Sequence, residues 1–189
     1  MTRCSAWGRR IERLAAAAAV AVIFCAGARA LASFRDVPRH ELVLSSDDVV
    51  LVRVEASRNV FGEIPHFEGP APFTEALARV ERVFRGGALE GERIAFRVEG
   101  GLKPDGGFLM VSTSPALEDY AGGKALVFLA RDAYGPGLHG LAHRALGLYR
   151  VERDRAGRDV VRGVTGHPIA RDIAVDAMPD VVREALERR

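Results

Sequence analysis

Gly135-Pro136-Gly137-Leu138-His139-Gly140 places three glycines at the spacing of a dinucleotide-binding turn, just after an apolar segment. That chemistry needs a helix opening at the glycines, so that its amide-rich N-terminus meets a pyrophosphate inside a parallel βαβ unit. Here only a short stretch, Leu141 to Leu146, follows, and then a segment that alternates like an antiparallel strand. The hexapeptide therefore reads as a loop. His139 and His143 are four residues apart, which on a helix would set both imidazoles on one face, as a metal site requires. No H-E-x-x-H glutamate accompanies them and no third ligand stands at a ligating distance in sequence, so they read as structural or solvent-facing histidines. A hydrolase would need an activated nucleophile with its base and an orienting acid. There is no G-x-S-x-G elbow, and Ser112-Thr113-Ser114 lies beside Pro115, which marks a turn. The many Asp and Glu residues could include a catalytic pair, but nothing in the sequence selects it. Arg79, Arg82 and Arg85 are interleaved with Glu75 and Glu81, the pattern of a solvated mixed-charge face rather than an anion site. No catalytic, cofactor-binding or metal residue is assigned on these grounds, and no cofactor is expected.

What the chain states most openly is an address. Arg3, Arg9, Arg10 and Arg13 precede an uncharged run from Leu14 to Ala28, and Ala30-Leu31-Ala32 then offers small residues at the spacing of a signal-peptidase site. The run is shorter than the about 20 residues that span a bilayer as a helix. Phe24 before Cys25 is too bulky for a lipoprotein signal, and Glu12 after Arg9-Arg10 disfavours twin-arginine export. Residues 1–32 are thus expected to be a signal peptide cleaved near Ala32, leaving a periplasmic or secreted protein that meets a membrane only during export. Five of the 27 Lys and Arg but only one of the 25 Asp and Glu lie in that segment, so the net charge of +2 becomes −2 after it. Cys4 and Cys25 lie there too. No nucleic-acid footprint is left, and no cysteine for a disulfide, so stability must come from a hydrophobic core. Residues 33–189 suffice for one such core.

The elements that position any site are mostly strands. After a polar lead-in over residues 33–47, Asp48 to Glu55 is β-branched and bounded by polar residues. Ser57 to Pro72 holds prolines, Gly62, Gly69 and scattered polar residues, and is predicted as a long surface loop. Phe73 to Phe84 fits either a helix, through Leu77, Val80 and Phe84, or a strand with a bulge that stops at Arg85-Gly86-Gly87. Ile94, Phe96 and Val98 share one face of a clear strand over Arg93–Glu99. Phe108 to Val111 is a further short strand, and the unbroken apolar run Ala125–Leu129 predicts a buried central one. Ala145 to Val151 alternates, Asp159 to Gly163 can pair back on it, and Ala177 to Arg189 has the stripe of a short amphipathic helix with Pro179 near its start. Residues 48–176 are expected to form the β-domain and residues 177–189 the terminal helix. Many short strands, glycine-rich turns and one late helix predict a mainly β barrel or sandwich.

Val80-Glu81-Arg82-Val83-Phe84-Arg85-Gly86 resembles the V-x-x-V-[FL]-[KR]-G strand-and-turn of bacterial exported proteins with a netrin-like barrel, similar to tissue inhibitors of metalloproteinases. Gly123-Lys124-Ala125-Leu126-Val127-Phe128-Leu129 fits a later G-[EK]-x-x-[VL]-x-[FL] element of the same pattern. The resemblance spans about Asp48 to Val151 and implies an OB-like antiparallel barrel of five or six strands, which favours the strand for Phe73–Phe84. It also implies a departure. Inhibitors of that family chelate a protease zinc through an N-terminal cysteine, and Ser33 stands at the expected new terminus. The functional expectation is a non-catalytic binding module outside the cytoplasm, taking an unknown protein or small ligand, with the Ser57–Pro72 loop as its contact. The alternative is a secreted hydrolase built from scattered carboxylates and histidines.

Overall fold

A computed structural model describes residues 36–63, 69–103, 105–109, 111 and 114–188. The segment expected to direct export, residues 1–32, lies outside the described residues. The unit that begins at Asp36 opens with a one-and-a-half-turn helix, α1 (Arg39–Leu44), where only a polar lead-in was predicted. So short a helix is not stable by itself. It forms because Leu42 and Val43 are buried against the rest of the unit, with Pro38 fixing the chain just ahead of it.

Strands β1 (Asp48–Glu63) and β2 (Pro70–Arg85) form a long antiparallel hairpin, followed by β3 (Arg93–Glu99), antiparallel to β2. The strand reading of Phe73–Phe84 holds. The loop predicted over Ser57–Pro72 does not: residues 57–63 and 70–72 are strand, and 64–68 lie outside the described residues. The prolines misled because their phase was not visible. Pro72 accepts at its carbonyl from Gly100 N–H (2.9 Å), so its missing N–H faces the same side, away from β1. Pro70, two residues back, has the same phase. Neither removes a bond from the β1–β2 ladder.

A two-stranded turn follows, β4 (Gly101–Leu102) with β5 (Phe108–Leu109), and then β6 (Lys124–Ala130), β7 (His139–Leu141), β8 (Leu148–Arg153), β9 (Asp159–Val161) and β10 (Ile173–Ala174). The ring β1-β2-β3-β7-β6 closes back on β1 through β1–β6 pairing from Asp48–Leu129 to Arg53–Lys124. This is the barrel-like, mainly β architecture expected. Its pairings are antiparallel except β3–β7, which is parallel and rests on Phe96–His139 and Arg97–Gly140. β8 continues along the same edge of β6 as β7, and β9 and β10 extend the sheet beyond it. β8 starts at Leu148 rather than Ala145, because Arg144–Gly147 forms a 3-10 turn. The C-terminal helix, α2 (Met178–Glu187), lies where its stripe predicted.

β1 and β6 are apolar on both faces because each face meets a different core. Val50, Val52, Val54, Ala125, Val127 and Leu129 fill the barrel interior with Ala76, Ala78, Ile94, Phe96 and Leu117. Val49, Leu51, Leu126 and Phe128 point outward against α1, α2 and Tyr149. The two helices thus cover one outer wall of the barrel.

One buried carboxylate fastens three chain segments together. Asp48, 3% exposed, accepts from Arg131 Nε and Nη2 (2.7 Å each) and from the amides of Gly87 (2.8 Å) and Ala88 (3.1 Å). Gly86 lets the turn approach: its φ is +105°, and a Cβ there would stand 2.0 Å from Asp48 Oδ1. Arg85 donates to the Val43 carbonyl. The Arg-Gly end of the Val80–Gly86 motif therefore has a structural task at both residues.

Candidate functional site

The first four residues of the glycine hexapeptide form a turn, and its last two, His139 and Gly140, already belong to β7. Asp132 Oδ1 accepts from Gly137 N–H (2.6 Å), Gly135 N–H donates to the Asp132 carbonyl (3.1 Å), and no helix opens there. Its last glycine has a packing reason. A Cβ on Gly140 would come within 2.9 Å of Ala133 and Tyr134, and the Tyr134 ring packs edge-on against Phe73 with centroids 4.9 Å apart. Burial first, and the nearby Glu99 charge second, push the Tyr134 phenol up to about 12.

The two histidines do not share a helix face. His139 is on β7, opposite Phe96, and its Nδ1 is buried without a hydrogen-bond partner. His143 has left-handed backbone (φ +51°), and its Nε2 meets Ser45 Oγ at 2.9 Å, beside the end of α1. Among the described residues no group of three or more His, Cys, Asp or Glu side chains is arranged to hold a metal. Ser112 and Thr113 lie outside the described residues.

The mixed-charge series resolves into specific pairs, most of them across strands. Arg79 reaches Glu55 (3.1 Å), Arg82 reaches Asp176 (2.7 Å), and Glu81 takes both Arg53 (3.0 Å) and Lys124 (2.8 Å). Lys124 also meets Asp159 (2.7 Å), and this network lines a polar cleft of about 360 Å³ in which the charges satisfy one another. Glu75 is different. It is 3% exposed and stands in register with Arg58 on one side and Arg97 on the other. Its Oε1 accepts from Arg58 Nε (2.8 Å) and its Oε2 from Arg97 Nε (2.7 Å). Burial alone would raise the carboxyl, but the bonds from Arg97 and then Arg58 outweigh it and hold Glu75 below its ordinary value. Asp48 is lowered in the same way: burial raises it, and Arg131 with the Ala88 and Gly87 amides more than offsets that. These are the charged sites that sequence reasoning missed, because only strand register places the arginines beside the acid. Both are clamps with their acceptor atoms occupied, not groups free to exchange a proton.

An apolar cleft lies at the end of the barrel next to the β1–β2 overhang. Beyond Glu99 the chain turns at Gly100-Gly101, where the Thr74 hydroxyl donates to the Gly100 carbonyl (3.1 Å). It then crosses the hairpin face, where Asn59 Oδ1 accepts from Leu102 N–H (3.0 Å). Val98, Phe108, Leu109, Val111, Pro115 and Ala116 supply the apolar lining of a space of about 330 Å³, in the size range of small-ligand pockets. Phe108 in that lining is 60% exposed, and Leu102, its partner across the β4–β5 pair, is 50% exposed. Neither His139 nor His143 lines this cleft or the polar one. What the arrangement can do is hold an apolar group, with Glu99, Glu118, Thr74 and Ser114 as the polar groups of its wall. No family model matches the chain, and no curated protein is significantly similar to it.

Proposed function

We propose that this protein is an exported, non-catalytic binding module of the cell envelope or secretome, built on a netrin-like, OB-type barrel. Its ligand-contacting surface is the apolar cleft beside β4 and β5, and the occupant is an apolar group, either a partner protein's side chain or a small ligand. The observation that carries the reading is Phe108, a large apolar side chain 60% exposed that lines the cleft together with Val98, Leu109, Val111 and Pro115. Isolated apolar side chains at a surface need no explanation, whereas a group of them around a concavity marks a contact site. Glu99, Glu118, Thr74 and Ser114 add polar groups to the cleft's wall, and no histidine or lysine stands among the described residues that line it. The basic start, short apolar run and Ala30-Leu31-Ala32 support export. Among the described residues no helix is long and apolar enough to cross a membrane.

The test is affinity capture from the native envelope and medium, with the exported chain and its Phe108→Asp variant as parallel baits. Phe108 is exposed, so the variant is expected to keep its melting temperature while losing what the parent retains. Equal retention by the two baits, or chemical turnover of the retained species, overturns the reading.

A further inference from the structure

The apolar cleft beside the β1–β2 arm has an imbalance of charge. Glu99 and Glu118 stand on its wall, and none of the described residues that line it is an arginine, lysine or histidine. Neither carboxylate is tied down as the other enclosed acids are. Asp48 and Glu75 each accept hydrogen bonds from an arginine, and Glu81 is paired with both Arg53 and Lys124. Glu99 is more enclosed than Glu81, its side chain 18% against 24% exposed. Yet the described cation paired with it, Arg144, stands 3.7 Å away, beyond hydrogen-bond length, and is itself largely in solvent. Glu118 is exposed on the turn Leu117–Tyr120, and the arginine beside that turn, Arg150, is engaged by the Asp119 carbonyl (2.8 Å) and the Tyr120 ring (5.2 Å). Thr74 gives its hydroxyl hydrogen to the Gly100 carbonyl, so its oxygen is left as an acceptor.

We propose that the occupant of this cleft is a small organic cation, an ammonium group carried on an apolar body. Two carboxylates and a hydroxyl acceptor without opposing cations on the wall are complementary to a charged N–H donor, and they repel a carboxylate or phosphate head. The apolar lining takes the body, and the exposed Phe108 ring offers an aromatic face of the kind that attracts ammonium. The space of about 330 Å³ lies in the range of small-ligand pockets, which favours a small molecule over a partner protein. This assignment rests on the cleft being the contact site and adds to it the sign of the ligand's charge.

The experiment is titration calorimetry of the exported protein at low salt with octylammonium, octanol and octanoate, which share one apolar body and differ in charge. Octylammonium is expected to bind about tenfold more tightly than octanol, the worth of one partly solvated charge-assisted hydrogen bond, and octanoate more weakly than either. Glu99→Gln and Glu118→Gln, both isosteric, should each lower the ratio of the octylammonium to the octanol affinity, and the double variant should abolish the preference. Glu118 is exposed, so its variant keeps the test open should Glu99→Gln fail to fold. Phe108→Ala should weaken both probes together. Equal binding of octylammonium and octanol, or tightest binding of octanoate, overturns the charge assignment and leaves the apolar contact site standing. A preference that survives in the double variant, or binding indifferent to Phe108→Ala, places the cation elsewhere and overturns it too. Binding of no probe overturns the small-cation occupant, while capture with the Phe108→Asp bait judges the cleft separately.

Discussion

Replacing Asp48 by alanine tests the main fastening of the fold. The side chain is buried and accepts four hydrogen bonds, two from the Arg131 guanidinium and two from the amides of Gly87 and Ala88. Arg131 is about half exposed, so water recovers much of what it loses, and its share is put at about 1 kcal/mol. The two amides belong to a turn that closes over the carboxylate, and each loses a bond to a charged acceptor worth about 1.5 kcal/mol. The total is about 4 kcal/mol. In a folded unit of this size each kcal/mol moves the melting temperature by about 2–4 °C, so a fall of about 8–16 °C is expected. The assay is urea denaturation at pH 7 with a parallel thermal melt. The pH dependence supplies a second check. The folded carboxyl is held below its ordinary value, so the parent's advantage is complete above about pH 4–5 and is lost as pH falls through the depressed folded value. The isosteric Asp48→Asn variant should therefore trail the parent at pH 7 and approach it at strongly acid pH. A loss below about 1 kcal/mol for Asp48→Ala, or a parent–Asn gap that does not shrink on acidification, would refute the reasoning.

Gly86→Ala should cost at least as much as Asp48→Ala, since it adds a left-handed backbone penalty to a Cβ placed 2.0 Å from the carboxylate, and a urea midpoint near the parent's would contradict the close approach. Arg97→Ala should lose about 2–3 kcal/mol and Arg58→Ala no more than about 1 kcal/mol, because Arg97 is 16% and Arg58 62% exposed around the same buried Glu75; equilibrium unfolding that reverses the order would contradict the clamp. In a spectrophotometric titration Tyr134 and Tyr149 should stay neutral to about pH 12, and Tyr120 should also ionise above its ordinary value, with burial the main cause in each; ionisation of all three near pH 10 in the folded state would show these rings to be solvated.

The parts of the fold that were legible are those where one strand carries its own pattern. Ala125–Leu129 is apolar without a break because Leu126 and Phe128 meet the helices while Val127 and Leu129 fill the barrel. Ile94, Phe96 and Val98 alternate because only one side of β3 faces the interior. Helix α2 showed its stripe and its proline. Helix α1 was not legible, because six residues of ordinary propensity become helical only when Leu42 and Val43 find a core. The clamps at Asp48 and Glu75 were invisible for a related reason. Arg131 is 83 residues from Asp48 in sequence, and Arg97 is 22 from Glu75, so only register and ring closure make neighbours of them. The apolar cleft is assembled from four separate stretches between Thr74 and Glu118 and leaves no local signal.

The arm shows how a misreading can locate a physical feature. Prolines in a row of polar residues normally end a strand, and that inference fails here because Pro70 and Pro72 share one phase and face one flank. Had either stood one residue off, it would have removed a bond from the β1–β2 ladder and the overhang would not form. The same phase means that the prolines protect only the β2 flank, while on the opposite flank from Ser57 to Glu63 no strand among the described residues pairs. A hairpin that carries two prolines on one edge and none on the other from Ser57 to Glu63 is asymmetric in the pairing it excludes.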